Sequence, residues 1–302
     1  MTYNCYYFLP FSVNQIEERF DFLKKLFWDI EINIYNALPK MKKYIFHIHL
    51  NGSLKNELDL GKFKFSNKLN LIITHCSANG KINAVNYGLE RARFSFADLF
   101  FSIDNDIRLD PFSFYRILDC YNPKRFDGVG CHKLAILPVN ATSFQYHISF
   151  FLNTITTNNL LYNFRFTGSL FAIDPFKIYC FPIGCNEADF FLSKKMIDSR
   201  VCVYTKYPSS LDEEIKRRAK NTIASIDYKF IKAIENVDFL NYFIEKRILN
   251  HNLPTHINRH LFVESYGVWC NMIEKLKMKV PNMLHSGQLL YFGLPQAQHK
   301  PK

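Results

Sequence analysis

The first 120 residues alternate between strand-like and helix-like segments, and no other feature of the sequence constrains the fold as strongly. Strand patterns, which are short apolar runs rich in aromatic and β-branched residues, occupy 5–11, 43–50, 69–76 and 97–103. Helix patterns occupy 14–30, 82–93 and 111–121. In the first helix, the apolar residues that fall at spacings of three and four are Ile16, Phe20, Leu23 and Phe27. This order predicts an α/β fold with a mostly parallel sheet that helices cover on both faces.

The rest of the chain has a less regular pattern. Strand patterns return at 126–137, 163–173 and 201–207, and a helix is predicted over 186–197. From Leu211 onward the sequence is mainly helical. We therefore expect one α/β domain over 1–225, followed by a helical C-terminal extension over 226–302.

The charge of the chain restricts its partners. Its 38 Lys and Arg exceed its 27 Asp and Glu, which gives a net charge of +11 and a pI of about 9.1. A basic surface favours anionic partners such as phosphorylated ligands, nucleic acids or acidic membranes. The sequence has no RNP-like aromatic motif, zinc-finger spacing or continuous basic arm, so we do not expect a nucleic-acid partner.

Cysteine usage and hydropathy predict a cytoplasmic protein. None of the eight cysteines forms a C-x-x-C pair, and most have apolar neighbours, which favours reduced buried thiols over disulfides or a zinc site. The N-terminus lacks the basic start and long apolar run of a signal peptide. No segment approaches the roughly 18 uninterrupted apolar residues that a membrane span requires.

The strand pattern LFFSI ends abruptly in Asp104, Asn105 and Asp106. One interpretation is a turn, because Asp and Asn side chains bond their own backbone. The other is a divalent cation site, since carboxylates at i and i+2 can reach one hard cation such as Mn²⁺ or Mg²⁺. In open α/β sheets, ligands bind beyond the carboxyl ends of the strands, and the predicted fold places this loop there. The fold therefore favours the cation site.

Two segments together, NGKINAVNYGLERA and LFFSIDNDIRLDP, resemble the centre of family 2 glycosyltransferases, whose catalytic domain has the Rossmann-like GT-A fold. The residues that match the family pattern are Gly80, Lys81, Ala84, Asn86, Gly88, Asp104 and Asp106. Further on, FTGSLFAID resembles the acceptor-side strand, and NEADFFLSKK resembles the E-D-x-D-L motif, with its second acid at Glu187. The resemblance implies a nucleotide-sugar half over 1–120 and an acceptor half over 121–225.

The chain also departs from the family pattern. Leu50, followed by Asn51, stands where the family often has an Asp that contacts the uracil ring, and Asn186 begins the E-D motif. The segment YTKYPSS offers no late metal-binding histidine, and the Q-x-x-R-W motif of processive synthases is absent. The resemblance is therefore to a non-processive enzyme of the bacterial glycan-assembly type.

The resemblance implies roles for five acidic and polar residues. Asp106 is the expected metal ligand, and Asp104 would face the ribose, the metal or a metal-bound water, with Asn105 between them. Glu187 is the expected general base, and Asp189 is the alternative, because a shift of one residue in the alignment exchanges them. The alternative role of Glu187 is that of an acid in the first turn of a helix, where the helix dipole favours it.

Other residues are expected around the donor and the acceptor. The donor-side candidates are Asn51, Lys81, Asn86, Arg217 and Arg218; the acceptor-side candidates are Gly168 and Ser169. Each has a plainer alternative: Lys81 as a loop lysine in water, Asn86 as a partner of nearby backbone, and the arginines as part of a solvated helix face. Arginine binds phosphate through a two-pronged fork, which is why the basic helix is a candidate.

These observations predict a metal-dependent, inverting glycosyltransferase that moves one sugar from a nucleotide sugar, in the first place a UDP-sugar, to a glycan or lipid-linked glycan. A non-catalytic sugar-nucleotide binder or partner subunit is the alternative. A nucleotidyltransferase is disfavoured, because LPFSVNQIEER contains no glycine for a phosphate loop. The basic, apolar helices predicted over 228–249 either pack on the domain or contact an anionic membrane at its inner face.

Overall fold

A mixed β-sheet lies at the centre of the fold. The computed structural model describes residues 1–13, 20–52, 69–77, 80–157, 168–181, 196–224 and 255–285. The strands of these residues form one eight-stranded sheet in the order β3-β2-β1-β4-β7-β6-β8-β5. Their bounds are Tyr3–Ser12 for β1, Met41–Asn51 for β2, Leu71–Cys76 for β3, Leu99–Ile103 for β4, Ile107–Leu109 for β5, Gly128–Ile136 for β6, Leu170–Ile173 for β7 and Met196–Lys206 for β8.

Helices connect these strands and continue after the last of them. The described helices are α1 (Phe20–Ala37), α2 (Lys81–Phe94), α3 (Ser113–Cys120), α4 (Ser143–Thr157), α5 (Leu211–Ala224) and α6 (Arg259–His285). A short 3-10 turn, Leu38–Lys40, joins α1 to β2. In the first 120 residues the order of strands and helices is the predicted one except for β5, which the sequence pattern did not predict.

The central strand β1 is buried on both sides of the sheet. It pairs in parallel with β2 and with β4, and its side chains alternate between two clusters of the core. Tyr7 and Leu9 face the cluster that contains the apolar residues of α1 and α3, whereas Tyr6 and Phe8 face the cluster that contains those of α2. A strand with both faces covered needs a continuous apolar run, which is what this segment has.

Gly88 allows α2 to lie close to the sheet. A Cβ atom at this position would come within 2.8 Å of ring atoms of Phe8, a side chain that is completely buried. Such a contact is too short for any side chain, so this position needs glycine. The glycine of the family-like pattern therefore has a packing role.

Beyond β4 the sheet becomes antiparallel. β7 runs antiparallel to both β4 and β6, with Ile103 opposite Leu170, and β5 runs antiparallel to β8. Because β7 is reversed, its first residue lies beside the last residue of β4. The expected parallel pairing is confirmed for β1 to β4, and the pairs β4–β7, β6–β7 and β5–β8 add an antiparallel part.

A buried ion pair holds β5 against α1. The Asp29 carboxylate accepts two hydrogen bonds from Arg108, with Nε at 2.5 Å and Nη2 at 2.9 Å, and a third from the Leu109 N–H at 3.2 Å. Its side chain is only 9 % exposed. A buried carboxylate is stable when its lone pairs are bonded in this way. The pair therefore fixes the position of β5, the strand into which the loop with Asp104 and Asp106 leads.

The chain forms two compact units. The first comprises 1–133, 165–183 and 187–205, and the second comprises 134–164, 184–186 and 206–302. In the second unit, α4 packs on α6 through Phe151 and Trp269, whose ring centres are 5.3 Å apart. The predicted division at residue 225 lies outside the described residues and stays a prediction.

Several local expectations differ from the structure. Helix α1 continues past residue 30 to Ala37, and α4 and β5 were not expected from the sequence pattern. The helix predicted over 186–197 overlaps β8, because Met196 and Ile197 belong to that strand; residues 186–195 lie outside the described part of the chain. The helices predicted over 228–249 also lie outside it.

The expectation of buried cysteines is confirmed for Cys5 and Cys131 and is wrong for Cys76 and Cys180, which are exposed. None of the described helices is both long enough and apolar enough to cross a lipid bilayer. Cys5, Cys120, Cys131, Cys180 and Cys202 carry free thiols.

Candidate active site

The loop Asp104–Asn105–Asp106 joins the centre of the sheet to its edge. It begins where β4 ends and leads into β5, which pairs at the far side of the sheet with β8. All three residues are half-buried. The Thr205 hydroxyl of β8 donates a hydrogen bond to the Asp106 carbonyl at 3.2 Å. The loop is thus anchored at both ends, and its carboxylates lie beyond the carboxyl end of a buried strand.

The Gly168–Ser169 turn lies against this loop. The Asp104 N–H donates to the Ser169 carbonyl at 2.8 Å, which continues the antiparallel pairing of β4 with β7 past the end of the strand. Ser169 is buried, with an exposed fraction of 4 %. Residues predicted from two distant parts of the sequence, one on the donor side and one on the acceptor side, therefore meet at a single point.

Lys81 forms an ion pair with Asp104. Its Nζ lies 2.5 Å from Asp104 Oδ1 and 3.5 Å from the Gly168 carbonyl oxygen. Lys81 is the first residue of α2, and Gly80 before it has a φ of 130°, a backbone conformation that glycine adopts without strain. The Gly-Lys pair of the sequence pattern thus turns the chain into α2 and directs an ammonium group at the Asp104 carboxylate.

Lys133 reaches the same turn from β6, and the sequence interpretation missed it. Its Nζ donates to Ser169 Oγ at 3.2 Å, and its side chain is half-buried. It sits within the strand pattern GCHKLAI, where a lysine has no local signal of function. Only the pairing of β6 with β7 brings it to the turn. Two ammonium groups therefore contact the Gly168–Ser169 turn, and one of them is paired with the Asp104 carboxylate.

Asn86 binds backbone. Its Nδ2 donates to the Phe181 carbonyl at 2.8 Å, and the Phe181 N–H donates to its Oδ1 at 2.7 Å. Both ends of the amide are thus bonded to one peptide segment that follows β7. Of the two interpretations of Asn86, the geometry agrees with the backbone partner, and a donor contact stays a prediction.

We predict that Asn86→Ala destabilises the protein by about 2 kcal/mol, because it leaves a partly buried N–H and C=O of Phe181 without their partner. Urea unfolding followed by circular dichroism measures the change. Asn83→Ala is the matched control, since Asn83 lies on the same helix and is exposed. An Asn86→Ala protein as stable as Asn83→Ala would contradict this role.

Asn51 ends β2 at the same edge of the sheet at which Asp104 follows β4. It pairs in register with Ser12 of β1 and with Cys76 of β3, and it is 8 % exposed. The parallel pairing of β2, β1 and β4 places their carboxyl ends side by side. Its role in binding the base of a nucleotide is untested and stays a prediction.

A series of hydrogen-bonded polar side chains crosses β1, β2 and β3, in which Tyr6, His47 and His49 are buried and Thr74 is half-buried. Tyr6 Oη lies 2.7 Å from His47 Nδ1, His47 Nε2 lies 2.6 Å from Thr74 Oγ1, and His49 Nδ1 lies 2.7 Å from the same oxygen. Because the threonine hydroxyl has one proton, at least one of the two imidazoles must donate to it.

Burial keeps both of these imidazoles neutral. Desolvation, with smaller contributions from His49 and Arg91, lowers the pKa of His47 to about 4. Desolvation and the neighbouring His75 also lower the pKa of His49. Since a charged imidazole is costly in this environment, the chain of hydrogen bonds is stable only while both rings stay neutral.

Arg217 belongs to the second unit and binds a buried acid. Its guanidinium donates two hydrogen bonds to the Glu214 carboxylate, both at 2.7 Å, and lies 5.1 Å from the ring centre of Tyr207. The Glu214 side chain is completely buried. The expected contact of Arg217 with a diphosphate stays a prediction. The side chain of Arg218 lies outside the described part of the structure.

The expected bases, Glu187 and Asp189, also lie outside the described residues. In the sequence, Phe181 is the last described residue before them, and Asn86 anchors it. The assignment of the base therefore rests on the sequence resemblance alone.

The donor atoms around Asp104 fit a hard divalent cation. Asp104 and Asp106 supply carboxylate oxygens, the ligand type that Mn²⁺ and Mg²⁺ favour. The Asp104 carboxylate attracts a cation in this structure, namely the Lys81 ammonium. Within the described residues, however, no group of three or more His, Cys, Asp or Glu side chains converges on one point. A cation here would need further ligands from water, the donor or residues outside the described set.

Comparison with known proteins relates the fold to sugar-transferring enzymes. No protein-family model matches the chain, and no curated protein matches its sequence. Among solved structures, the mannosyltransferase PcManGT from Pyrobaculum calidifontis, in complex with GDP-Man and Mn²⁺, is similar with a TM-score of 0.51 and 14 % identity. The similarity covers 91 % of this chain and 85 % of that chain.

Two structures of TarS from S. aureus are similar at lower TM-scores. One has 11 % identity and a TM-score of 0.45, and it covers 82 % of this chain and 44 % of that chain, so this chain spans less than half the length of that TarS chain. The other, residues 1–349, has 12 % identity and the same TM-score, with 91 % and 82 % covered. The mixed sheet, its flanking helices and the similarity to the mannosyltransferase show that the chain has a fold of the GT-A type.

Proposed function

We propose that the protein is a glycosyltransferase that transfers one sugar from a nucleotide-sugar donor to a glycan or lipid-linked glycan. The observation that carries this proposal is the convergence of Asp104, Lys81 and Lys133 on the Gly168–Ser169 turn at the carboxyl edge of the sheet. Carboxylates for a cation and ammonium groups for phosphate are the two kinds of group that a sugar diphosphate requires. The similar mannosyltransferase, solved with GDP-Man and Mn²⁺, supports the same assignment.

The chemistry follows from the leaving group. Transfer breaks the bond between the anomeric carbon and the diphosphate, and negative charge develops on the diphosphate oxygen. A divalent cation held by Asp104 and Asp106 would supply Lewis-acid stabilisation of that charge. Lys81 and Lys133 add positive charge from fixed elements of the fold, and Asn51 ends β2 at the same edge of the sheet.

The acceptor needs a base. In a single inverting displacement, an acceptor hydroxyl oxygen attacks the anomeric carbon on the face opposite the diphosphate while the base takes its proton. We assign this role to Glu187, with Asp189 as the alternative, on the basis of the sequence resemblance. Ser169 and Gly168 would lie under the acceptor sugar, and the catalytic domain would span 1–225.

We assign the chain to family 2 of these enzymes, in a non-processive form of the bacterial glycan-assembly type. The matched residues of α2 and the loop after β4 support the family assignment. A cytoplasmic location with peripheral contact to an anionic membrane would bring a lipid-linked acceptor to the enzyme. The net charge of +11 supports attraction to such a surface.

A thermal-shift panel of nucleotides and nucleotide sugars, each with and without Mn²⁺, tests the proposal. A donor that binds only the native state stabilises it by about 2.7 kcal/mol at about 100 times its dissociation constant, which raises the melting temperature by several degrees. UDP-sugars are expected to give the first positive result, and GDP-mannose is the comparison. A panel in which no nucleotide sugar changes the melting temperature would contradict the proposal.

A donor that binds without being hydrolysed or transferred would indicate the alternative, a non-catalytic sugar-nucleotide binder. Leu50, which stands where the family often has a base-contacting Asp, is the residue that favours this alternative. Release of nucleoside diphosphate in the presence of Mn²⁺ and a panel of acceptors separates the two functions.

A further inference from the structure

Two lysines from different elements meet beside Asp104, and their partners differ. Lys81, at the start of α2, contacts the Asp104 carboxylate at 2.5 Å and the Gly168 carbonyl at 3.5 Å. Lys133, on β6, contacts Ser169 Oγ at 3.2 Å. One ammonium group is therefore paired with a proposed metal ligand, and the other is bonded to a hydroxyl of the adjacent turn.

The ion pair conflicts with metal binding at the same carboxylate. An ammonium group and a divalent cation repel each other, and both seek the oxygens of Asp104. The Lys81 side chain is 38 % exposed and that of Asp104 is 20 % exposed, so both charged groups are partly accessible to solvent. A lysine side chain has a flexible stem and can exchange partners at small cost.

We propose that Lys81 is an internal counter-cation of Asp104, that it leaves this carboxylate when a divalent cation binds, and that its ammonium group then binds the donor diphosphate together with Lys133. The inference rests on the proposed function. It adds the two residues that hold the diphosphate, Lys81 and Lys133, and it states that Lys81 becomes available only after the divalent cation has bound.

The charges balance in both states of the site. Without metal, the positive charge of Lys81 neutralises the negative charge of Asp104. With a divalent cation, Asp104 and Asp106 neutralise the cation, and Lys81 and Lys133 supply two positive charges for the two negative charges of a nucleotide-sugar diphosphate. Lys81 is already within reach of the turn that Lys133 contacts, so the exchange needs only a change of side-chain torsions.

Calorimetric titration of the full chain tests the exchange without any measurement of activity. The probes are Mn²⁺ alone, and then UDP and GDP in saturating Mn²⁺. Lys81→Met is expected to bind Mn²⁺ alone more tightly, by a factor on the order of five, because a competing cation is removed. The same variant is expected to bind the nucleoside diphosphate more weakly, by a factor on the order of ten, because one charged hydrogen bond to phosphate is lost.

Lys133→Met separates the two effects. It is expected to weaken nucleoside diphosphate binding to a similar extent and to leave the affinity for Mn²⁺ unchanged. Lys81→Arg keeps a cation at Asp104 and is expected to retain the wild-type affinity for Mn²⁺. Lys42→Met is the matched control, because Lys42 is an exposed lysine near the opposite end of β2, and it should change neither affinity.

The outcomes distinguish this inference from the proposed function. Unchanged or weaker Mn²⁺ binding by a folded Lys81→Met protein would overturn the exchange, even if the wild type binds UDP or GDP. Wild-type nucleotide affinity in Lys133→Met would overturn the two-lysine site. If the wild type binds Mn²⁺ but no nucleoside diphosphate, both the inference and the proposed function fail. Should Lys81→Met not fold, Lys81→Gln removes the same charge with a polar side chain and serves as the test.

Discussion

Asp106→Ala is expected to lower kcat/KM for sugar transfer by a factor on the order of 10² to 10³, because the developing charge on the diphosphate loses its cation. The fold should persist. The contact that the structure gives for Asp106 with β8 uses its backbone carbonyl, which accepts from Thr205, and the substitution keeps that carbonyl. Initial rates of nucleoside diphosphate release, measured with saturating Mn²⁺, give the size of the loss.

The control for this experiment is Asp119→Ala. Asp119 lies on α3 and forms an exposed ion pair with Lys40, so its loss removes a carboxylate from the same unit without touching the candidate site. Transfer should continue at the wild-type rate. If Asp106→Ala retains full activity, the assignment of a cation to the loop after β4 is wrong.

Acidification is expected to destabilise the protein through His47. Burial lowers the pKa of this imidazole to about 4 in the folded state, whereas its ordinary pKa is 6.5. Between these values the unfolded chain binds the proton and the folded chain does not. The contribution of His47 to the free energy of unfolding is therefore fully present above pH 6.5. It is lost as the pH falls towards 4, and the loss for this group is up to about 3 kcal/mol.

Urea unfolding at pH 7.5 and at pH 4.5 measures this loss as the difference in the free energy of unfolding. His47→Gln is the informative variant, because its amide can still donate and accept hydrogen bonds but does not titrate. In this variant the free energy of unfolding should differ less between pH 7.5 and pH 4.5 than it does in the wild type. His260→Gln is the control, since His260 is exposed, with 84 % of its side chain accessible. A wild type that is equally stable at both pH values would contradict the buried neutral state of His47.

Local patterns predicted β1 to β4 and α2 because the burial of these elements depends on apolar residues that are neighbours in sequence. The same patterns missed α4. Its sequence, SFQYHISFFLNTITT, has no charged residue to mark an exposed face and contains many aromatic and β-branched residues, which do not favour a helix on their own. It is a helix in the structure, where Ile148, Phe151 and Ile155 are buried in one cluster with Trp269 and Met272 of α6.

The residues of the candidate site also fall into two groups, those that the sequence predicted and those that only the structure revealed. The sequence resemblance selected Lys81, Asp104 and Ser169, and the structure brings these residues together. It also selected Asn86 for the donor side, but the amide binds the backbone of Phe181. Lys133 had no signal in its own segment, because a lysine inside a strand pattern is identified only by what lies on the neighbouring strand.

The sequence by itself determined that a buried strand ends in two carboxylates and that a Gly-Lys pair begins the preceding helix. These properties depend on short-range order, namely the alternation of apolar residues and the conformations open to glycine. The tertiary structure alone decided that β7 runs antiparallel to β4, which brings Ser169 to Asp104 and, through β6, Lys133 to Ser169. Strand pairing joins residues that are far apart in the chain, and the hydrogen bonds that select a partner strand are the same for every sequence.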